Sequence, residues 1–134
     1  MIKIVEEEIP VDVYQQLRVK AGLSPKSTVA AKIGLSNTLY VVVAKDEFDG
    51  YIGMGRLIGD GGCFCQVVDI CVLPEYQGKG IGKKIMEKIK SYIDIALPES
   101  CYISLLADGN ADKLYKQFSF EETLPQSKGM FFKK

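Results

Sequence analysis

VVDICVLPEYQGKGIGKKIMEKI, residues 67–89, decides the fold. Its opening, VVDICVL, is β-branched and apolar and reads as the end of a strand over residues 64–73. After Pro74 the period changes. Ile81, Ile85, Ile89, Tyr92, Ile93 and Ala96 recur at helical spacing, and Lys83, Lys84, Glu87, Lys88, Lys90 and Asp94 fill the opposite face. Pro98 lies just beyond. Between strand and helix, Gly78, Gly80 and Gly82 alternate. Such a turn lets backbone amides point one way without Cβ obstruction. The positive end of the helix and the charges of Lys79, Lys83 and Lys84 complete a phosphate cradle.

Three phosphate motifs compete for this turn. A G-x-x-x-x-G-K-[ST] loop fails, because Lys83 stands at the second glycine position after Gly78 and the hydroxyl is missing. A G-x-G-x-x-G dinucleotide turn fails at Lys83 as well. Q/R-x-x-G-x-G/A is matched in full by residues 77–82. The plain alternative is a flexible turn that only lets the helix begin.

Working outward, IKIVEEE (2–8) reads as a first strand. Pro10 and Asp12 open a helix with Val11, Tyr14, Leu17 and Ala21 on one face, closed by Gly22. Ser24-Pro25 starts a second helix, with Ser as cap and Pro at the first helical position; Val29, Ala30 and Ile33 form its apolar face. TLYVVVAK (38–45) is too apolar on both faces for an edge strand. Asp49-Gly50 and Asp60-Gly61-Gly62 are turns on either side of YIGMGRLIG, so residues 38–73 form an antiparallel meander. CYISLLA (101–107) is a fifth strand, parallel to the fourth because a helix joins them. Asn110 or Asp112 begins a short helix holding Leu114, Tyr115 and Phe118. FEET (120–123) and GMFF (129–132) are candidate last strands. The order β-α-α-β-β-β-α-β-α-β-β places the chain in the α+β to α/β range, as one unit over residues 1–134.

Composition narrows the chemistry. The chain has 134 residues, 17 Lys plus Arg against 17 Asp plus Glu, and no histidine. Balanced charge argues against nucleic-acid and membrane partners. Without histidine there is no Ser-His-Asp or Cys-His device and no His-containing zinc site. Cys63, Cys65, Cys71 and Cys101 contain no C-x-x-C pair, so a thiolate metal site is not expected and the cysteines read as core filler. The amino terminus, MIKIVEEEIP, has neither a basic region nor a long apolar run; a cytoplasmic protein is the expectation.

On these residues the chain resembles the GNAT superfamily of acyl-CoA-dependent N-acyltransferases. The resemblance rests on the strand, V-x-P-x-Y, Q-x-x-G-x-G and helix of residues 67–89. It continues through YISLLA and through ADKLYKQFSF, which is similar to the family's A-x-x-x-Y-x-x-x-G-F. It covers nearly the whole chain. Ser119 stands where the family has glycine, and Ala111 follows Asn110 directly instead of at N-x-x-A spacing.

The resemblance implies a mixed, mostly antiparallel sheet of about six to seven strands, with helices on both faces and the fourth and fifth strands splayed around the cofactor. It implies acetyl-CoA as donor and no metal. Gln77, Gly78, Lys79, Gly80, Ile81, Gly82 and Lys83 would hold the pyrophosphate, and Ile70, Cys71 and Val72 the pantetheine arm through backbone hydrogen bonds. Asn110, Lys113 and Tyr115 would touch the cofactor from the last helix. The implied chemistry is direct attack of a primary amine on the thioester through a tetrahedral intermediate, with the amide near Val72 as oxyanion donor and Tyr115 as general acid. A non-catalytic acyl-CoA-binding regulatory module is the alternative.

Asp69 is the one carboxylate in an apolar run and a candidate base; capping a turn, pairing with Arg56 on the neighbouring strand, or a water relay are the competing readings. Cys71, in a strand rich in Val and Ile with no activating base, reads as packing rather than as an acyl carrier. A small-molecule or peptide amine acceptor would lie between the first two helices and AGLSPKS (21–27), with Arg18, Tyr51, Met54, Arg56 and Phe64 as wall residues. GMFFKK suits either a homodimer interface or burial in the monomer.

Overall fold

A computed structural model describes residues 1–134. Its elements are β1 (Ile2–Glu6), α1 (Val11–Lys20), α2 (Thr28–Ser36), β2 (Tyr40–Asp46), β3 (Gly50–Gly59), β4 (Phe64–Val72), a 3-10 turn (Pro74–Tyr76), α3 (Ile81–Ala96), β5 (Tyr102–Ser104) and α4 (Asp112–Lys116). The strands form one sheet in the order β1-β2-β3-β4-β5. The first three pairings are antiparallel and β4–β5 is parallel.

Both faces of the sheet are covered, which explains the doubly apolar β2. Val42 and Ala44 point into a core closed by Ile81, Ile85, Met86 and Ile89 of α3. Val43 points the other way, to a core with Tyr14 and Leu17 of α1 and Ala31 of α2. All three β2 residues have no exposed surface. Gly55 lets α3 settle onto β3: a Cβ there would fall 2.5 Å from Ile70 Cδ1 and 2.7 Å from Ile85 Cγ2. The Asp60 turn is held by its own carboxylate, which accepts the amides of Gly62, Cys63 and Phe64 at 2.8–3.0 Å.

The expected six to seven strands are five. FEET and GMFF are not strands. Residues 123–127 fold into a local turn in which Ser127 donates its amide to the Thr123 carbonyl at 3.1 Å. Met130, Phe131 and Phe132 are 86–90% exposed. An apolar run becomes a strand only where a neighbouring edge accepts its hydrogen bonds, and β5, the last strand, is just three residues long. The start of α2 also differs. Ser27, not Ser24, caps it, accepting the Ala30 amide at 3.1 Å. Pro25 lies in the loop before it. The face expected to pack is exposed at Val29 and Ile33, and Ala31 is the buried residue of that helix. No helix is long and apolar enough to cross a membrane.

One backbone feature positions the site. Val68 opposes Arg56 and Cys71 opposes Met54, so Asp69 and Ile70 together face Gly55 in a β-bulge. Asp69 takes a φ of +60° there. The pairing of β4 with β5 covers only Phe64–Gln66 against Tyr102–Ser104. From Val67 onward β4 runs on with that edge open, which is the expected splay.

Candidate active site

The open edge of β4 faces two adjoining cavities. The first, of about 380 Å³, runs along Ile70, Cys71 and Val72 and the glycine turn, and is closed by Ala111, Leu114 and Tyr115. The second, of about 510 Å³, is lined by Tyr14, Arg18, Leu23, Lys26, Arg56 and Asp69 on one side and by Leu105, Asp108 and Tyr115 on the other. Leu23, Ile70, Ala111 and Tyr115 belong to both.

The glycine turn presents a row of free backbone donors. Gly78 and Gly80 have φ of +78° and +77°, in the left-handed region where a Cβ is strained. Gly80 begins α3 without any side-chain cap, and the first helical bond from this stretch is Lys84 N–H to the Gly80 carbonyl at 3.1 Å. The amides of residues 78–83 therefore have no protein acceptor. Unsatisfied donors at the positive end of a 16-residue helix form an anion site. Gln77 does something else. Its amide donates to the Pro74 carbonyl at 3.3 Å and its Nε2 to the Val72 carbonyl at 3.0 Å. It braces the turn against β4 and offers no free backbone donor. Lys83 is exposed at the helix start, and Lys79 Nζ lies 5.4 Å from the centre of the Tyr76 ring.

Backbone alternation decides which parts of β4 face the gap. Leu73 donates its amide to the Ile52 carbonyl at 2.8 Å, and Cys71 opposes Met54. Alternation along the ladder turns the peptide groups of Ile70 and Val72 away from β3, toward the gap. The bond from Gln77 to the Val72 carbonyl agrees with that direction. Cys71 has its backbone turned to β3, which corrects its expected hydrogen bond to the pantetheine arm. Its side chain is buried with Met54 and Val43. Burial, with Asp69 nearby, pushes the Cys71 thiol up to about 12, so it stays protonated and non-nucleophilic at neutral pH. Protein incubated with carbon-labelled acetyl-CoA and no acceptor is expected to carry no label after denaturation and gel filtration.

Tyr115 is 9% exposed, packed edge-on to Phe120 at 6.3 Å, and its hydroxyl has no protein partner. Burial, then the charge of Asp108, raises its pKa above the ordinary phenol value of 10.0, so the hydroxyl keeps its proton at neutral pH. Ser119, which follows in the same segment, has a φ of +73°. That left-handed backbone is the physical reason for a glycine at this position. Relieving it offsets the added freedom of an unfolded glycine, so Ser119→Gly is expected to raise stability by about 0.5–1 kcal/mol, read by chemical denaturation.

Asp69 is not a free carboxylate. Its Oδ2 accepts from the Tyr14 hydroxyl at 2.7 Å and from Arg56 Nε at 2.7 Å, and its Oδ1 accepts from Arg18 Nη1. The side chains of Asp69, Arg18 and Arg56 are each less than a tenth exposed. Arg56 also donates to the Gly34 carbonyl at 3.1 Å and Thr38 Oγ1 at 2.7 Å, so it is a buried hub. Of the alternatives for Asp69, the pairing with Arg56 is the one present.

The other expected wall residues divide. Arg18 and Arg56 meet in the second cavity. Met54 is wholly buried in the α1-side core. Tyr51 donates its hydroxyl to Glu7 at 2.7 Å and lines a separate hollow with Val13, Leu17 and Leu73. Phe64 starts β4, 66% exposed beside Tyr102 and about 25 Å along the strand from Val72. These three do not line the second cavity. Asn110 and Lys113 are exposed and do not line the first; Ala111 and Leu114 do. Lys26, from the expected AGLSPKS segment, lines the second cavity, and so do Tyr14 and Asp108, which the sequence reading does not name there. The bonding partner of Tyr14 is 55 positions away, so no local pattern marks it. No group of three or more His, Cys, Asp or Glu side chains converges as a metal site would need.

A family model described as "Acetyltransferase (GNAT) domain" matches residues 37–122. A crystal structure of a protein of unknown function from methicillin-resistant Staphylococcus aureus is 48% identical. It superposes with a TM-score of 0.93, and all of both chains is covered. The GCN5-related N-acetyltransferase 2, chloroplastic, of Arabidopsis thaliana is 37% identical over 91 residues, 66% of this chain and 33% of that protein. The chain thus spans about a third of that relative's length. A protein from Clostridium acetobutylicum described as a predicted acetyltransferase and solved with acetyl-CoA shares the fold, with a TM-score of 0.72 at 14% identity over 97% of this chain and 96% of that one.

Proposed function

Because this chain belongs to the GNAT acetyltransferase family, we propose that it is an N-acetyltransferase moving an acetyl group from acetyl-CoA to a primary amine. The observation that carries the reading is the row of unpartnered amides at residues 78–83, leading into a gap in the sheet that ends at Tyr115. The residues fit a CoA-type donor on their own chemistry. An anion cradle at a helix start suits a pyrophosphate, and the outward peptide groups of Ile70 and Val72 suit an amide-bearing arm laid along β4.

Acetyl-CoA supplies the activated thioester. The chain's part is positional and electrostatic. The Val72 amide, turned into the gap, is placed to donate to the acetyl oxygen, a contact worth roughly 3–4 kcal/mol in comparable acyl-transfer sites. Tyr115, held protonated, donates from Oη to the departing sulfur. Asp69 positions: it fixes Arg18, Arg56 and Tyr14 as one wall of the second cavity, where the amine enters. No protein-bound acyl group is needed, so the lack of histidine is no handicap.

Purified protein with acetyl-CoA and a pooled set of primary amines is expected to release CoA thiol faster than without amine. Acetyl-CoA binding with no amine-dependent thiol release would replace this reading with that of an acyl-CoA-binding regulatory module.

A further inference from the structure

The second cavity carries a charge imbalance that the fold does not need. Two guanidinium groups, Arg18 and Arg56, share the single carboxylate of Asp69, with side chains 7–9% exposed. The buried cluster is therefore one positive charge in excess. An uncompensated buried charge is strongly destabilising unless something balances it.

Nor are the donors used up. Arg18 donates through Nε to the Ser24 carbonyl at 2.8 Å, through Nη1 to Asp69 and, at 3.4 Å, through Nη2 to Ser24 Oγ. An arginine has five N–H groups. Two of them have no protein acceptor while Arg18 lines the cavity. Lys26, exposed and without a side-chain partner, stands on the same wall. Across the cavity the pattern reverses. Asp108 is exposed, its carboxylate is unpaired, and it lines the second cavity close enough for its charge to act on Tyr115, the residue that also lines the donor groove.

Resting on the acetyltransferase reading, we propose that the acceptor is a small amine that also carries a carboxylate. Its ammonium end lies toward Asp108 and Tyr115, and its carboxylate end is taken by Arg18 and Lys26. Arginine's planar fork suits a carboxylate, and its spare N–H groups supply the donors. Asp108 draws the ammonium toward Tyr115, where the acetyl group is delivered; the nitrogen gives its proton to bulk water through the open cavity before the free amine attacks. Arg56, with Asp69, holds Arg18 in place as a positioning residue.

The test uses the full chain and matched acceptors differing only in the carboxylate: 4-aminobutyrate against n-butylamine, and β-alanine against n-propylamine. Both thiol release from acetyl-CoA and equilibrium binding by calorimetry are measured. The carboxylated member of each pair is expected to show at least a tenfold higher kcat/KM, mostly through KM, and tighter binding. Lys26→Gln, a change at an exposed side chain that leaves the fold intact, is expected to shrink that preference severalfold. Arg18→Gln, if it folds, is expected to abolish it. Equal or faster turnover of the simple amines overturns the inference and leaves the acetyltransferase reading standing. If no acceptor releases thiol, that reading fails for this panel, and binding still decides: 4-aminobutyrate binding no more tightly than n-butylamine overturns the inference. A preference that Lys26→Gln and Arg18→Gln both leave unchanged overturns it too.

Discussion

Tyr115→Phe is expected to lower kcat by about 100-fold while changing acetyl-CoA affinity by less than about threefold. The ring fills the junction of the two cavities and packs on Phe120, and phenylalanine keeps both contacts. Only the hydroxyl is lost, and within the protein it has no partner, so no buried group is stranded. A loss of kcat with unchanged melting temperature and unchanged binding therefore reports the proton at Oη. The pH profile offers a second reading. Burial and Asp108 raise the phenol above its ordinary 10.0, so the protonated form persists to higher pH. Activity of the parent chain is expected to show no alkaline loss from this group below about pH 10. Full turnover by the Phe variant would remove Tyr115 from the chemistry.

Asp69→Asn is expected to destabilise the fold by about 3–5 kcal/mol, because it leaves two guanidinium groups buried without their counter-charge. A domain of this size is stable by roughly 5–15 kcal/mol, so the change consumes a large share, and the melting temperature should fall by on the order of 10 °C or more. Circular dichroism melts of parent and variant check this. The same variant separates the two roles the residue could have. A general base would show its loss in the acidic limb of kcat/KM, with stability little changed. A positioning group would show lost stability and a raised acceptor KM, with the acidic limb of the residual activity unshifted. Three donors already converge on this carboxylate, and the second pattern is the expected one.

The parts of the site that could be read along the chain are those built from neighbours in sequence. Gly78, Gly80 and Gly82 followed by an Ile81-Ile85-Ile89 stripe specify a turn, a helix start and a row of free amides within a dozen residues. Asp49-Gly50 and Asp60-Gly61-Gly62 specify hairpins for the same reason. Tyr115 was found by resemblance to a motif rather than by its physics, because a tyrosine on a short helix looks the same whether its hydroxyl meets a cavity or the core. Phe64 and Met54 misled for the complementary reason. Their strands were identified, but alternation and strand length place one in the core and the other at the far end of β4.

By itself, then, the sequence determined the meander, the glycine turn with its row of free amides and the α3 stripe, since turn chemistry and helical period are local properties that any compatible tertiary arrangement must accommodate. The tertiary structure alone decided that the sheet stops at five strands, that β4 bulges at Asp69, and that Tyr14, Arg18, Arg56 and Asp69 close into one buried cluster. Those outcomes depend on which edge finds a partner and on where α1 docks, across separations of 51 and 55 residues between Asp69 and its partners on that helix. Such contacts are set by the packing of both cores, and no window of the chain contains them.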